Sequence, residues 1–279
     1  MTRRGNARTM GMPVSRQFSE PVCLIIAGYD PSGGGGVLAD LRAARACGVR
    51  AVAAVTAVTA QNTFEIARCT PVTTDMLQAE LDLLARDFAF GAVKVGMIGN
   101  AELAGVIDEF LDTLPDEIPV VLDPVLNATA GMALFEADLL DRLIALFPRC
   151  ALITPNLPEL ARLNGHPGDL SGPGIEEAAR SLLTTGARAI LVKGGHADGA
   201  TVVDELFTIE GRTCYEHPRL HLPKIRGTGC FLSTAIACGL LSARPLPAAV
   251  SAARSLLMAH VGAAWFPGSH NGLLPDSPG

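Results

Sequence analysis

Short apolar, β-branched runs alternate with helical patterns along most of this chain, and that alternation constrains its fold more than any other feature. "VCLIIAG" (Val22 to Gly28) is apolar, branched and closed by glycine, as a buried strand should be. "VLADLRAARACG" (Val37 to Gly48) reads as a helix stopped by Gly48. "VRAVAAVTAV" predicts a second strand. "TTDMLQAELDLLARDF" predicts a helix with its apolar side at Met76, Leu77, Leu81 and Leu84. "GAVKVGM", "IPVVLDP", "CALITP" and "ARAILVKGG" predict further strands separated by helical sequence, including "NAELAGVIDEFLDTL" with Asn100 as N-cap. Such an order implies one α/β domain, with a mainly parallel central sheet and helices on both faces. "ATVVDELFTIEG" and "RTCYEHPRLHLP" read as paired strands turned at Glu210 and Gly211. Two helices follow, Gly229 to Leu241 and Leu246 to Ala264.

In sheets of this kind ligands collect at the carboxyl ends of the strands. The polar, glycine-rich segments fall there: "AGYDPSGGGG", "TAQNT", "KVGM", "LDPV", "TPNLPE" and "KGGH". Composition narrows what those ends can bind. The formal charge is −6, which does not favour non-specific nucleic-acid binding. No segment stays apolar for the roughly 18 residues that a membrane helix requires. The seven cysteines are scattered and form no C-x-x-C pair, which argues against a disulfide framework or a zinc cluster and for a reduced, cytoplasmic setting. Residues 1–20 carry four arginines, no apolar core and little periodicity. They read as a flexible extension, with the domain running over 21–279 and Met10 or Met12 as alternative starts.

"RGTGC" (Arg226 to Cys230) is the most suggestive segment. Its glycines allow positive φ and close backbone approach. The helix that starts there offers free N–H groups and a favourable dipole, so Gly227, Thr228, Gly229 and Cys230 could cradle phosphate oxygens. A thiol at a helix N-terminus is expected to have a lowered pKa and could accept a proton from a substrate hydroxyl. An ordinary tight turn with a packed cysteine is the competing reading. In "TPNLPEL", Asn156 and Glu159 lie three apart on one helical face. Glu159 could hold Mg²⁺ through water, or the two residues could form a capping box. Lys193 in "VKGGH" sits at a strand end, suited to a phosphate or to solvent. The four glycines of "AGYDPSGGGG" make neither a Walker A loop nor G-x-G-x-x-G.

Taken together, "LIIAGYDPSGGGGVLADLRAARACGV", "TAVTAQNT", "VKVGMIG", "VVLDPVL", "LITPNLPEL", "VKGGH" and "GTGCFLSTAIA" resemble, in order, the hydroxymethylpyrimidine and phosphomethylpyrimidine kinases of thiamine synthesis, members of the ribokinase-like superfamily. The likeness runs from about Val22 to Leu241. It implies an ATP- and Mg²⁺-dependent phosphotransferase, with a monovalent cation as a further candidate, acting on a pyrimidine alcohol and forming a homo-oligomer, a dimer for preference. It implies Cys230 as catalytic base, Gly227, Thr228 and Gly229 as anion hole, and Asn156 and Lys193 as ATP contacts. Glu159 and Asp123 are implied near the metal. Gly28, Asp40, Gln61, Met97 and Val125 are implied at the pyrimidine. A carboxamide at Gln61 suits an aminopyrimidine edge because it both donates and accepts, and Met97 is an adaptable apolar contact for a flat ring. Tyr29, Arg226, Phe231 and the "LNATAG" run depart from the family pattern. A pyridoxal or pyridoxine kinase is the neighbouring expectation, and a non-catalytic pyrimidine or nucleotide sensor is the expectation of another class.

Overall fold

The computed structural model describes residues 20–126, 137–165, 170–196, 199–268 and 271–278. Residues 1–19, most of "LNATAG" and hence the expectations placed on them lie outside that set. The order is β1 (Val22–Tyr29), α1 (Gly36–Ala46), β2 (Ala51–Gln61), β3 (Ile66–Pro71), α2 (Thr74–Asp87), β4 (Phe90–Val95), α3 (Ala101–Asp112), β5 (Val120–Leu122), α4 (Ala137–Ala145) and β6 (Leu152–Ile153). It continues with α5 (Leu157–Leu163), α6 (Pro173–Thr184), β7 (Ala189–Val192), β8 (Thr201–Thr208), β9 (Gly211–Pro218), β10 (Ile225–Arg226), α7 (Thr228–Leu241), α8 (Leu246–Gly262) and β11 (Gly272–Leu273).

Nine strands form one sheet in the order β3-β2-β1-β4-β5-β6-β7-β8-β9. From β2 to β7 every pairing is parallel, and the two edges are antiparallel. The interior strands are buried on both faces, which explains why they read as unbroken apolar runs. On one face, Leu77, Leu81, Leu103, Ile107, Leu143, Leu160 and Leu182, from α2 to α6, pack with Leu24, Val93 and Leu122 of the sheet. On the other, α1, α7 and α8 pack through Ala43, Phe231, Ile236 and Val250 against Cys23, Val121 and Leu191. The expected three-layer α/β architecture is what forms.

Three details differ from expectation. Strand β3 pairs antiparallel with β2, and its half-exposed, polar residues give no strong strand pattern. Met76 is 53% exposed, so the buried side of α2 consists of Leu77 and Leu81. The β8–β9 turn is Ile209–Glu210, since Thr208 pairs with Gly211. Elsewhere local chemistry sets the ends as expected. Asn100 accepts from the Leu103 N–H as N-cap of α3, and Gly48 takes φ +71° just beyond α1.

Candidate active site

Parallel order places the carboxyl ends of β1, β4, β5, β6 and β7 side by side. Asp123 follows β5, Glu159 lies in the first turn of α5 after β6, and Lys193 follows β7. Sheet geometry brings these together. Lys193 Nζ donates to Asp123 Oδ1 at 2.7 Å and lies 4.0 Å from Glu159 Oε2. Thr154 Oγ1 donates to the same Asp123 oxygen at 3.1 Å. The Lys193 strand is pinned beside Asn156 by its N–H, which donates to Pro155 O.

The turn into α7 closes over this cluster. Gly227 takes φ +77°, and a Cβ there would sit 2.8 Å from Gly34 O, so only glycine fits. A Cβ on Gly229 would lie 3.2 Å from Lys193 Nζ and 3.7 Å from Asp123 Oδ2. Gly229, the last residue of the expected anion hole Gly227, Thr228 and Gly229, therefore lies beside the lysine and the carboxylate. First-turn amides have no intrahelical acceptor, so they stay available to an anion. Asn156 and Glu159 do form the capping box: the Glu159 N–H donates to Asn156 Oδ1 at 2.9 Å, and the Asn156 N–H donates to Glu159 Oε2 at 2.8 Å. The cap uses one oxygen of Glu159, and the residue also faces Lys193, so the two readings of this pair are compatible.

Electrostatics revise one expectation. Cys230 keeps some exposure but is ringed by protein, and burial pushes its thiol up to about 11, against the pull of Lys94. The expected lowering by the helix N-terminus is overridden by desolvation. Burial likewise raises Glu159 to about 7, opposed by Lys193. Asp123 is lowered: burial acts to raise it, but Lys193 and Lys94 outweigh that.

The remaining predicted residues divide. Gly28 and Met97 meet, since a Cβ on Gly28 would lie 2.1 Å from Met97 Cε. Val125 is half-buried just beyond Asp123. Gln61 is engaged at both ends, donating to Thr59 and accepting from Arg226. Asp40 departs from a direct substrate contact. It is fully buried, with Oδ2 accepting from Lys94 at 2.7 Å and Oδ1 from Thr234 at 2.8 Å. Phe231 is also fully buried, against the ring of His260 at 4.7 Å.

Lys94 is the residue that sequence reading missed. Its signal was a lone lysine inside the apolar strand "GAVKV". It is fully buried, and Gly96 leaves it room: a Cβ there would lie 2.6 Å from its Nζ. Burial acts to lower its pKa, yet Asp40, then Cys230 and Asp123, raise it overall, so it stays charged. A groove of about 710 Å³ at the other end of the strands, between Ala151, Arg188, Gly211 and Pro247, contains none of these groups.

A profile of the phosphomethylpyrimidine kinases matches residues 30–274. The chain belongs to the phosphomethylpyrimidine kinase family. Its relatives include the hydroxymethylpyrimidine/phosphomethylpyrimidine kinases of Rhizobium meliloti, 39% identical over 87% of this chain and 91% of that one, and of Aquifex aeolicus, 35% identical over 85% and 92%. Among solved structures, phosphomethylpyrimidine kinase from Clostridium difficile aligns with TM-score 0.75 and 29% identity over 86% of this chain and 99% of that one. Bacillus subtilis pyridoxal kinase in an ADP complex aligns with TM-score 0.83 and 26% identity over 92% and 98%. This kinase thus has the ribokinase-like fold of both groups.

Two carboxylates of this kinase fit a divalent cation that keeps most of its water. Asp123 turns Oδ2 toward the Gly229 turn, and Glu159 keeps one oxygen outside its cap. Among the described residues no group of three or more acidic, histidine or cysteine side chains converges as a closed metal cage.

Proposed function

We propose that this kinase transfers the γ-phosphoryl group of ATP to the hydroxymethyl oxygen of hydroxymethylpyrimidine, and then to the phosphate of the resulting monophosphate, in thiamine biosynthesis or salvage. The observation that carries this reading is the meeting of Cys230, Lys193, Asp123 and Glu159 around the Gly227–Gly229 turn, within a family of named pyrimidine kinases. The substrate oxygen attacks phosphorus, the bond to the ADP leaving oxygen breaks, and in the first transfer the hydroxyl proton passes to Cys230 in its thiolate form, the minor form at neutral pH. Charge developing on the transferred group falls on the first-turn amides of α7 and on Lys193. Asp123 and Glu159 would hold Mg²⁺, which supplies charge neutralisation at the phosphates. Asn156 orients Glu159 through the cap. Gly28, Met97, Val125 and Gln61 receive the ring, while Asp40 acts from beneath through Lys94.

Free cysteines at all seven positions support a reducing, cytoplasmic setting, and no described helix is long and apolar enough to cross a membrane. A homodimer is part of the same proposal. The likeness to pyridoxal kinase supports a second reading, phosphorylation of pyridoxine. ADP release measured with hydroxymethylpyrimidine, its monophosphate and pyridoxine separates them. Turnover with the pyrimidine and its monophosphate well above that with pyridoxine is expected. A preference for pyridoxine would overturn the pyrimidine reading, and no ADP release with any alcohol would leave the sensor.

A further inference from the structure

Arg226 sits one residue before the anion-hole turn and is 6% exposed. Its Nη1 donates to Asn62 O at 2.6 Å, and its Nη2 donates to Gln61 Oε1 at 2.8 Å and to Asp30 Oδ2 at 3.3 Å. It therefore joins three segments: the end of β2, the glycine loop after β1, and the turn that carries Gly227.

The bond to Gln61 has a chemical consequence. A guanidinium can only donate, so the Gln61 atom facing it must be the oxygen. At the other end, Gln61 Nε2 donates to Thr59 Oγ1 at 2.8 Å, while the Thr59 hydroxyl spends its own hydrogen on Tyr29 O, also at 2.8 Å. Thr59 Oγ1 can then only accept from Gln61. Turning the amide over would set NH₂ against the guanidinium and oxygen against a hydroxyl with no hydrogen left. Both ends thus forbid the flip that a surface glutamine makes freely. Beyond these bonds Gln61 keeps one N–H and one oxygen lone pair, in fixed positions.

We infer that Arg226 is a positioning residue for the substrate ring, acting through Gln61: the chain Arg226–Gln61–Thr59–Tyr29 fixes which end of the carboxamide donates and which accepts, and so which way round a ring nitrogen and its neighbouring exocyclic amine dock. This rests on the reading of Gln61 as a ring contact. A pyrimidine with an amine beside a ring nitrogen uses both remaining groups. A pyridine alcohol without that amine uses one.

The test is a double-mutant cycle on hydroxymethylpyrimidine affinity, measured by calorimetry without nucleotide, with folding checked by thermal melts. Arg226→Lys keeps a cation opposite Asp30 but cannot span Gln61 and Asn62. Arg226→Met removes the charge. Gln61→Leu removes the amide. Each single change is expected to weaken binding about 5- to 20-fold. With leucine at position 61, replacing Arg226 by Lys should add less than twofold. ATP affinity should stay within about twofold in Arg226→Lys. Equal effects of Arg226→Lys in both backgrounds, or no effect on pyrimidine affinity, would overturn the positioning role while leaving Gln61 as a ring contact. If Gln61→Leu alone leaves affinity unchanged, the ring-contact reading fails and the inference falls with it.

Discussion

Lys94 Nζ lies 2.7 Å from Asp40 Oδ2, and both side chains are completely buried. The pair joins β4 to α1, and Thr234 of α7 completes it by donating to the other Asp40 oxygen. One hydrogen-bonded unit therefore fixes the strand, the helix after the glycine loop and the helix that carries Cys230. Lys94→Met leaves a buried carboxylate without its partner and should cost about 3–5 kcal/mol in urea unfolding at pH 7. Combining it with Asp40→Leu should recover much of that loss. A Lys94→Met protein as stable as wild type would show that the pair does not act as a buried ion pair.

Cys230→Ala should lower turnover by about 10²–10⁴-fold if the thiol is the general base, with ATP affinity little changed because the backbone amides remain. Cys230→Asp should retain more activity than Cys230→Ala. Since burial pushes the thiol up to about 11, the free enzyme holds it protonated at neutral pH. Wild-type kcat/KM should therefore climb from pH 7 to pH 9, whereas Cys230→Asp should be flat across that range. Alkylation of Cys230 should likewise be slow at pH 7 and accelerate with pH. Unchanged turnover per folded molecule in Cys230→Ala would assign the thiol to packing.

Glu159→Gln should raise the Mg²⁺ concentration needed for half-maximal turnover while leaving pyrimidine affinity nearly intact. Glutamine can still close the capping box, so the variant should not melt earlier. A further sign is available. Burial lifts Glu159 from 4.5 to about 7, so the unfolded chain releases this proton first. The group thus subtracts stability progressively as pH rises from about 4.5 through about 7. In Glu159→Gln that part of the decline should be missing in melts taken across the same range. Superimposable Mg²⁺ titrations would leave only the cap.

Gly36 and Gly48 both take positive φ, +56° and +71°, yet they should respond differently to alanine. At Gly48 nothing lies near the added carbon, so the backbone conformation alone is strained, at about 1–2 kcal/mol. At Gly36 the carbon would sit 2.0 Å from Gly28 O, a backbone atom with no freedom to yield. Gly36→Ala should melt well below Gly48→Ala and, on the proposed role of Gly28 and Met97 in receiving the ring, should also weaken pyrimidine binding. Equal melting temperatures would mean that the glycine loop rearranges at little cost.

The sequence by itself determined the strand–helix alternation, the cap at Asn100 and the helix stop at Gly48, and it offered the capping box at Asn156 as one of two readings. Those depend on neighbours a few residues apart, whose chemistry is visible in order along the chain. The same locality made Cys230, Lys193 and Glu159 legible as candidates, because each falls at a strand end or a helix start, whereas Asp123 came from the family resemblance alone. Tertiary structure decided what each one faces. Only the β4-β5-β6-β7 order places Lys193 against Asp123 and Glu159, and only the packing of α1 and α7 on the sheet buries Asp40, Lys94 and Thr234 together. Burial then reversed the pKa expected for Cys230, since desolvation depends on everything around a group and not on its place at a helix end. Arg226 and Gln61, 165 residues apart in the chain, meet for the same reason: a hydrogen bond between distant segments leaves no mark on either segment alone.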